Sequence, residues 1–140
     1  MQAILNGNQF RKLLEIEYGQ LHIEYNLKKI DIQILQYLNN AGNSNTAKDI
    51  VALGLYTKGH VSQSLKNLKE HGLVDAVHDR DDARCVHLQL MDEAYGIIKQ
   101  IDKIYENILS VMFHDIPAED LEVFKRVGQQ IVKNINAYVE

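Results

Sequence analysis

Residues 57–74 read Thr-Lys-Gly-His-Val-Ser-Gln-Ser-Leu-Lys-Asn-Leu-Lys-Glu-His-Gly-Leu-Val, and what this stretch forms decides the fold. Val61, Leu65 and Leu68 fall three or four apart, the spacing of one helix face. Thr57 is a good N-cap and Gly72 accepts the left-handed conformation in which helices end, so the pattern predicts a helix over Lys58–His71. Just upstream, Thr46-Ala47-Lys48-Asp49 pairs a capping residue with an acid three positions on, predicting a brief helix through Leu53 that Gly54-Leu55-Tyr56 breaks. A short helix, a turn containing Gly and a longer helix make a helix-turn-helix, although a plain helical hairpin would read the same.

The residues that follow favour the first. Leu73-Val74-Asp75-Ala76-Val77-His78 is short and β-branched, and Val86, Leu88 and Leu90 alternate with Cys85, His87 and Gln89, the period of a half-buried strand. Asp79-Arg80-Asp81-Asp82-Ala83 lies between them as a charged loop, so a hairpin, or wing, follows the second helix. Upstream, apolar spacing predicts helices over 8–25 and 29–40, the latter stopped by Asn39-Asn40-Ala41-Gly42-Asn43. Downstream, Ala94, Ile97, Ile98, Ile101, Ile104, Tyr105, Ile108 and Met112 line one side of a helix over 92–113. Pro117 and Glu119-Asp120 suit the first turn of another, whose seam is Leu121, Phe124, Gly128, Ile131, Ile135 and Tyr138. Two such long apolar faces exceed what a small winged core can cover. They predict either a dimer built from the chain ends or an intramolecular helical lid.

The fold class expected is therefore mainly α (α+β by its wing): one domain over 1–140, with a winged helix-turn-helix at 28–91 and dimerisation helices at 1–27 and 92–140. Composition agrees, because 46% apolar, 24% charged and a single Pro describe an ordinary globular chain. No basic-then-apolar leader and no 20-residue apolar run is present, which predicts a cytoplasmic protein without membrane partners. A net charge of −4 argues against a nucleic-acid partner until it is divided by segment. The excess acid lies in 92–140, with five basic and nine acidic residues, whereas 46–73 holds Lys48, Lys58, Lys66 and Lys69 against Asp49 and Glu70.

The run from Asp31-Ile-Gln-Ile-Leu through residues 58–74 to Asp79-Arg-Asp-Asp-Ala-Arg-Cys-Val-His-Leu-Gln-Leu resembles the multiple-antibiotic-resistance repressor (MarR) family. The most specific part is Asp-x-x-Asp-x-Arg at Asp79, Asp82 and Arg84, placed in a wing after Leu-x-x-Leu-x-x-x-Gly-Leu-Val. The resemblance implies obligate dimers of six-helix subunits on pseudo-palindromic operators, often released by a small ligand or by oxidation. Ala83, Gly59 and Gln63 stand where relatives often carry Arg, Pro and Arg, so contacts to DNA are expected to be fewer or different.

On the helix after Thr57, the residues Gly59, Gln63, Lys66 and Glu70 point away from Val61, with His60, Ser62 and Asn67 flanking them. Such a face suits the major groove, where Gln favours adenine and Lys favours guanine, while Thr57 and the first-turn amides suit a phosphate. The expected DNA-binding residues are thus Thr57, Lys58, Gly59, His60, Ser62, Gln63 and Lys66, with Arg80 and Arg84 reaching the minor groove. Asp82 and Asp79 are expected to accept bonds from Arg84 and the loop amides and so stiffen the wing. Tyr18, His22 and Tyr25, near the junction with the dimerisation helices, are the candidates for a small-molecule effector; core packing is the commoner use of such aromatics.

No phosphate loop, nucleophile elbow or metal-ligand spacing such as Cys-x-x-Cys appears, so neither catalysis nor a cofactor is expected. Cys85 and His87 share the outer strand face, and His78 is the candidate third ligand across the hairpin, yet a solvated surface is the simpler reading and no metal is assigned. Cys85 lies outside the first helix, where the resemblance puts a peroxide-sensing thiol. The functional expectation is a ligand-responsive, repressing, homodimeric regulator of double-stranded DNA; the alternative is a winged-helix interaction module that binds no DNA.

Overall fold

The computed structural model describes residues 7–80, 82 and 84–139, so Asp81 and Ala83 of the wing loop lie outside the described residues. In chain order these form α1 (Asn8–Tyr25), α2 (Lys29–Asn40), α3 (Ala47–Ala52), α4 (Lys58–Glu70), β1 (Val74–His78), β2 (Val86–Leu90), α5 (Asp92–Met112) and α6 (Ala118–Val139). Each predicted element is present within a residue or two of its expected ends.

Local chemistry explains where the central helices start and stop. The Thr46 hydroxyl accepts from the Asp49 amide at 3.2 Å while the Asp49 carboxylate accepts from the Thr46 amide at 2.9 Å, closing a capping box on α3. Thr57 caps α4 in the same way, its hydroxyl accepting from the His60 amide. At the other end, Gly72 has φ +66°, its amide bonds to Lys69 O, and the Leu73 amide reaches back to Leu68 O. This pair of bonds is a Schellman motif, and it delivers Leu73, itself buried, to the start of the sheet.

The strands pair antiparallel from Val74↔Leu90 to His78↔Val86. On the other side of β2, Asn45 O accepts from the Leu88 amide at 2.8 Å and Thr46 bridges His87, so the segment entering α3 forms a third, very short rung.

The chain divides near residue 105 into two units. In the first, Ile34 and Leu35 of α2, Val61 and Leu68 of α4, Leu88 of β2 and Ile101 of α5 close a dry core. Their burial contributes roughly 1.5–3 kcal/mol per side chain and fixes α4 against α2 and the sheet. Ile32 is buried as well as Ile34, Leu35 and Leu38, so this helix is covered on more than one face. In the second unit, residues 106–139, the Phe113 and Phe124 rings meet edge-on at 6.2 Å across the turn before α6. Yet α6 has no buried residue at all: Phe124, Ile131 and Ile135 are each more than half exposed.

Candidate nucleic-acid interface

The buried side of α4 determines what its other side presents. With Val61, Leu65 and Leu68 turned into the core, Thr57, Lys58, Gly59, His60, Ser62, Gln63 and Lys66 are all exposed, as the sequence pattern requires. No acidic residue stands in the first turn of α4. Thr57 Oγ1 is occupied by the His60 amide at 3.3 Å, which leaves the Lys58 and Gly59 amides, having no preceding helical carbonyl, directed at whatever approaches this end. Lys66 Nζ lies 3.8 Å from Glu70 in an exposed i,i+4 pair, an interaction too weak to hold it from a phosphate or a base edge.

One feature that orients α4 was not among the expected site residues. Asp31, in the first turn of α2, has 0% exposure, and Ser64 beside it has 3%. The Ser64 hydroxyl donates to Asp31 Oδ1, while Asp31 Oδ2 accepts from the Asn67 amide nitrogen at 3.0 Å and from the Lys28 backbone amide at 2.7 Å. A buried carboxylate without such partners would be costly, so this network holds α4 at one rotation about its axis. Asn67, which the helical wheel puts at the flank of the outward face, accordingly turns its side-chain amide toward Asp31. The available signal was Ser64, a polar residue on the same stripe as Val61 and Leu68.

Cations outside the expected site residues add to this face. Lys48 and Lys69 join Lys58 and Lys66 around a groove of about 750 Å³ between α3 and α4, floored by Val51 and Val61. Lys28 and Lys29, at the start of α2, share a hollow of about 380 Å³ with His60 and Gln63. Six lysines therefore surround the exposed face of α4 in a chain whose net charge is −4.

In the wing, Asp79 Oδ1 accepts from the Asp82 amide at 3.2 Å and Asp82 Oδ1 from the Arg84 amide at 2.9 Å. Backbone bonds from Asp79 N to Cys85 O and from Cys85 N to Asp82 O close the hairpin. Both aspartates thus serve the loop backbone, and the bond expected from Arg84 comes from its amide, not its guanidinium. Among the described residues neither Arg80 nor Arg84 enters an ion pair, and both side chains are exposed.

Tyr18, His22 and Tyr25 lie along α1 within the first unit. The Tyr18 and His22 ring centroids are 6.4 Å apart, His22 Nδ1 donates to Leu27 O, and Tyr25 Oη accepts from Gln100 Nε2 at 2.7 Å. Burial, with smaller effects of Tyr105 and Asp102, raises the Tyr18 hydroxyl above the ordinary tyrosine range. Tyr18 and Tyr25 pack against the core, and the Gln100–Tyr25 bond ties α5 to α1.

Comparison with known proteins agrees with this geometry. Residues 25–84 match the model of the MarR family. The chain is similar to the structure of S. aureus MepR in complex with DNA, at 17% identity and TM-score 0.68 over 92% of this chain and 96% of that one. It is similar to MarR at 18% identity and TM-score 0.68, over 97% and 94% of the two chains. The heme sensor protein PefR, solved with heme and carbon monoxide, gives 20% identity and TM-score 0.63 over 95% and 91%. At these identities the likeness is one of fold, and no curated protein matches in sequence. No helix among the described residues is long and apolar enough to cross a membrane.

Proposed function

Because residues 25–84 match the model of the MarR family and the described chain is similar in fold to MarR, we propose that the protein is a non-catalytic regulator that binds specific sites on double-stranded DNA as a homodimer. The observation that carries this reading is the α4 surface: exposed Gln63, His60, Ser62 and Lys66 on a helix locked by Asp31 and ringed by lysines. Gln63 and Lys66 read base edges in the major groove; Lys48, Lys58 and Lys69 hold the phosphates that fix the register. Arg80 and Arg84 extend from the stiffened wing toward the adjacent minor groove.

The dimer is supported by α6, whose apolar seam finds no cover among the described residues. A second copy is the natural cover, and two-fold symmetry then places two α4 helices on half-sites about one helical turn apart. The proposed output is repression in the cytoplasm. An effector bound beside Tyr18, His22 and Tyr25 would act only by favouring one spacing of the two α4 helices over another.

Selection of bound sites from random duplex DNA, followed by a salt titration, tests the proposal. The expected result is an enriched two-fold motif whose affinity falls about 10³-fold or more between roughly 50 and 200 mM salt. No enrichment and no salt-dependent binding would identify a winged-helix interaction module instead.

A further inference from the structure

The face of the wing that does not pack on the core brings three different donor atoms together. The register of the hairpin explains why. His78 stands opposite Val86 and Val77 opposite His87, and the Asp79 amide bonds to Cys85 O at 2.9 Å, one step further along the ladder. With side chains alternating between faces, Asp79, Cys85 and His87 share one side while His78 falls on the other. The third member of the group is therefore Asp79 and not His78, the residue the sequence alone had offered.

We propose that Asp79, Cys85 and His87 form a binding site for a zinc-class divalent cation at the base of the wing. Their ligand atoms all lie within 4.8 Å of one another. Cys85 Sγ is 3.6 Å from His87 Nε2, and His87 Nε2 is 3.1 Å from Asp79 Oδ2. A tetrahedral zinc ion with bonds of about 2.3 Å to sulfur and about 2.0–2.1 Å to nitrogen and oxygen has a sulfur–nitrogen edge of about 3.6 Å and a nitrogen–oxygen edge of about 3.3 Å. The side chains already stand within a few tenths of an ångström of those two edges.

A second, independent feature aims the imidazole. His87 Nδ1 faces Asn45 Oδ1 at hydrogen-bond distance, and Asn45 Nδ2 donates to Leu88 O at 3.1 Å, which settles the orientation of the Asn45 amide. Oδ1 can only accept, so Nδ1 carries a proton, which leaves Nε2 as the ring atom facing Cys85 and Asp79 and open to a metal ion once any proton it shares with Asp79 has left. Asp79 is held in turn by the bond from the Asp82 amide to its other oxygen. His87 and Asp79 keep 32% and 34% of their side-chain surface exposed, so an ion has a path in and a water can complete four-coordination.

Binding exchanges the Cys85 S–H bond for an S–metal bond and releases that proton to solvent, together with the proton His87 Nε2 shares with Asp79. Neutral His87, one thiolate and one carboxylate then balance the two charges of the ion. Thiolate and imidazole donors select zinc, cobalt or copper over magnesium and calcium. Occupancy would tie the two strands together directly beside Arg84.

Cobalt(II) titration of the reduced full-length chain is the test, because a thiolate-to-cobalt charge-transfer band reports the sulfur ligand directly. One equivalent is expected to bind with that band and the visible bands of a tetrahedral ion, zinc should displace it, and excess magnesium should not. Cys85→Ser should abolish the charge-transfer band, and His87→Ala and Asp79→Asn should weaken binding at least tenfold. Asn45→Ala should keep the spectrum and lose about 10- to 100-fold in affinity, the usual cost of removing an outer hydrogen-bond partner. Since Cys85 is the only cysteine, alkylation gives a second readout: zinc should slow it at least tenfold in the native chain and have no effect in His87→Ala. A native chain without the charge-transfer band, a band that survives in Cys85→Ser, or unchanged alkylation with zinc would overturn the site. None of these measurements involves DNA, so their failure leaves the reading of the α4 surface standing.

Discussion

Residues 28–91 and helix α6 both carry apolar residues at helical spacing, yet the first pack into a core that α1 and α5 help to close and the second stay exposed. Ile34, Leu35, Val61 and Leu68 are at most 2% exposed, whereas Phe124, Ile131 and Ile135 of α6 are 63%, 52% and 55% exposed. The difference lies in what faces each helix. α4 has α2, α3 and a sheet beside it, and its one buried polar cluster, around Asp31, is fully hydrogen-bonded. An apolar stripe therefore says which face must be covered but not whether the cover comes from the same chain.

The largest effect should come from breaking the uncovered region. Placing aspartate at both Ile131 and Ile135 should give a folded monomer by analytical ultracentrifugation. Its affinity for a two-site duplex should fall about 10²-fold or more, because the second half-site contact is no longer intramolecular. An unchanged dimer would show that α6 is not the interface.

In the covered region, Asp31→Ala strands the Ser64 hydroxyl and the Asn67 amide in the core. It should cost about 2–4 kcal/mol in chemical denaturation, with Asn67→Ala alone costing less. Arg84→Ala should leave stability intact and weaken duplex binding about tenfold in a fluorescence-anisotropy titration, the effect of one lost groove contact. A stability loss with unaltered binding would make Arg84 a structural residue.

The smallest expected effect concerns pH. Hydrogen bonds from the Thr46 side chain and backbone hold the Asp49 carboxyl below its ordinary value of 3.8. A pKa lowered by folding contributes stability in full above the unfolded value, and the contribution is lost as pH falls through the lower folded value. Asp49→Asn should therefore lower the Tm by a few degrees at neutral pH, and the gap to the native chain should close in acid.

The element ends were legible because each carries its own local chemistry. Thr46 with Asp49, Thr57, and Gly72 with Leu73 are short-range signals, and the structure uses all of them. The exposed face of α4 was legible for the same reason, since a helical wheel needs only the spacing of Val61, Leu65 and Leu68. The Asp31–Ser64–Asn67 network joins residues more than thirty positions apart in sequence, and spacing within one element cannot show it. Lys28 and Lys29 were hidden likewise, because only the packing of α2 against α4 brings them beside His60 and Gln63. In the wing, assigning Asp79 over His78 to the Cys85 face required the strand register, which the loop length alone left open.

The account rests on two α4 helices reading half-sites on one side of a duplex, and half-site spacing tests this most directly. Once a bound motif is in hand, inserting about five base pairs between its halves turns them to opposite sides of the helix. The prediction is a loss of at least a hundredfold in affinity, largely restored when about ten base pairs are inserted instead. Equal affinity at all three spacings would contradict the paired arrangement.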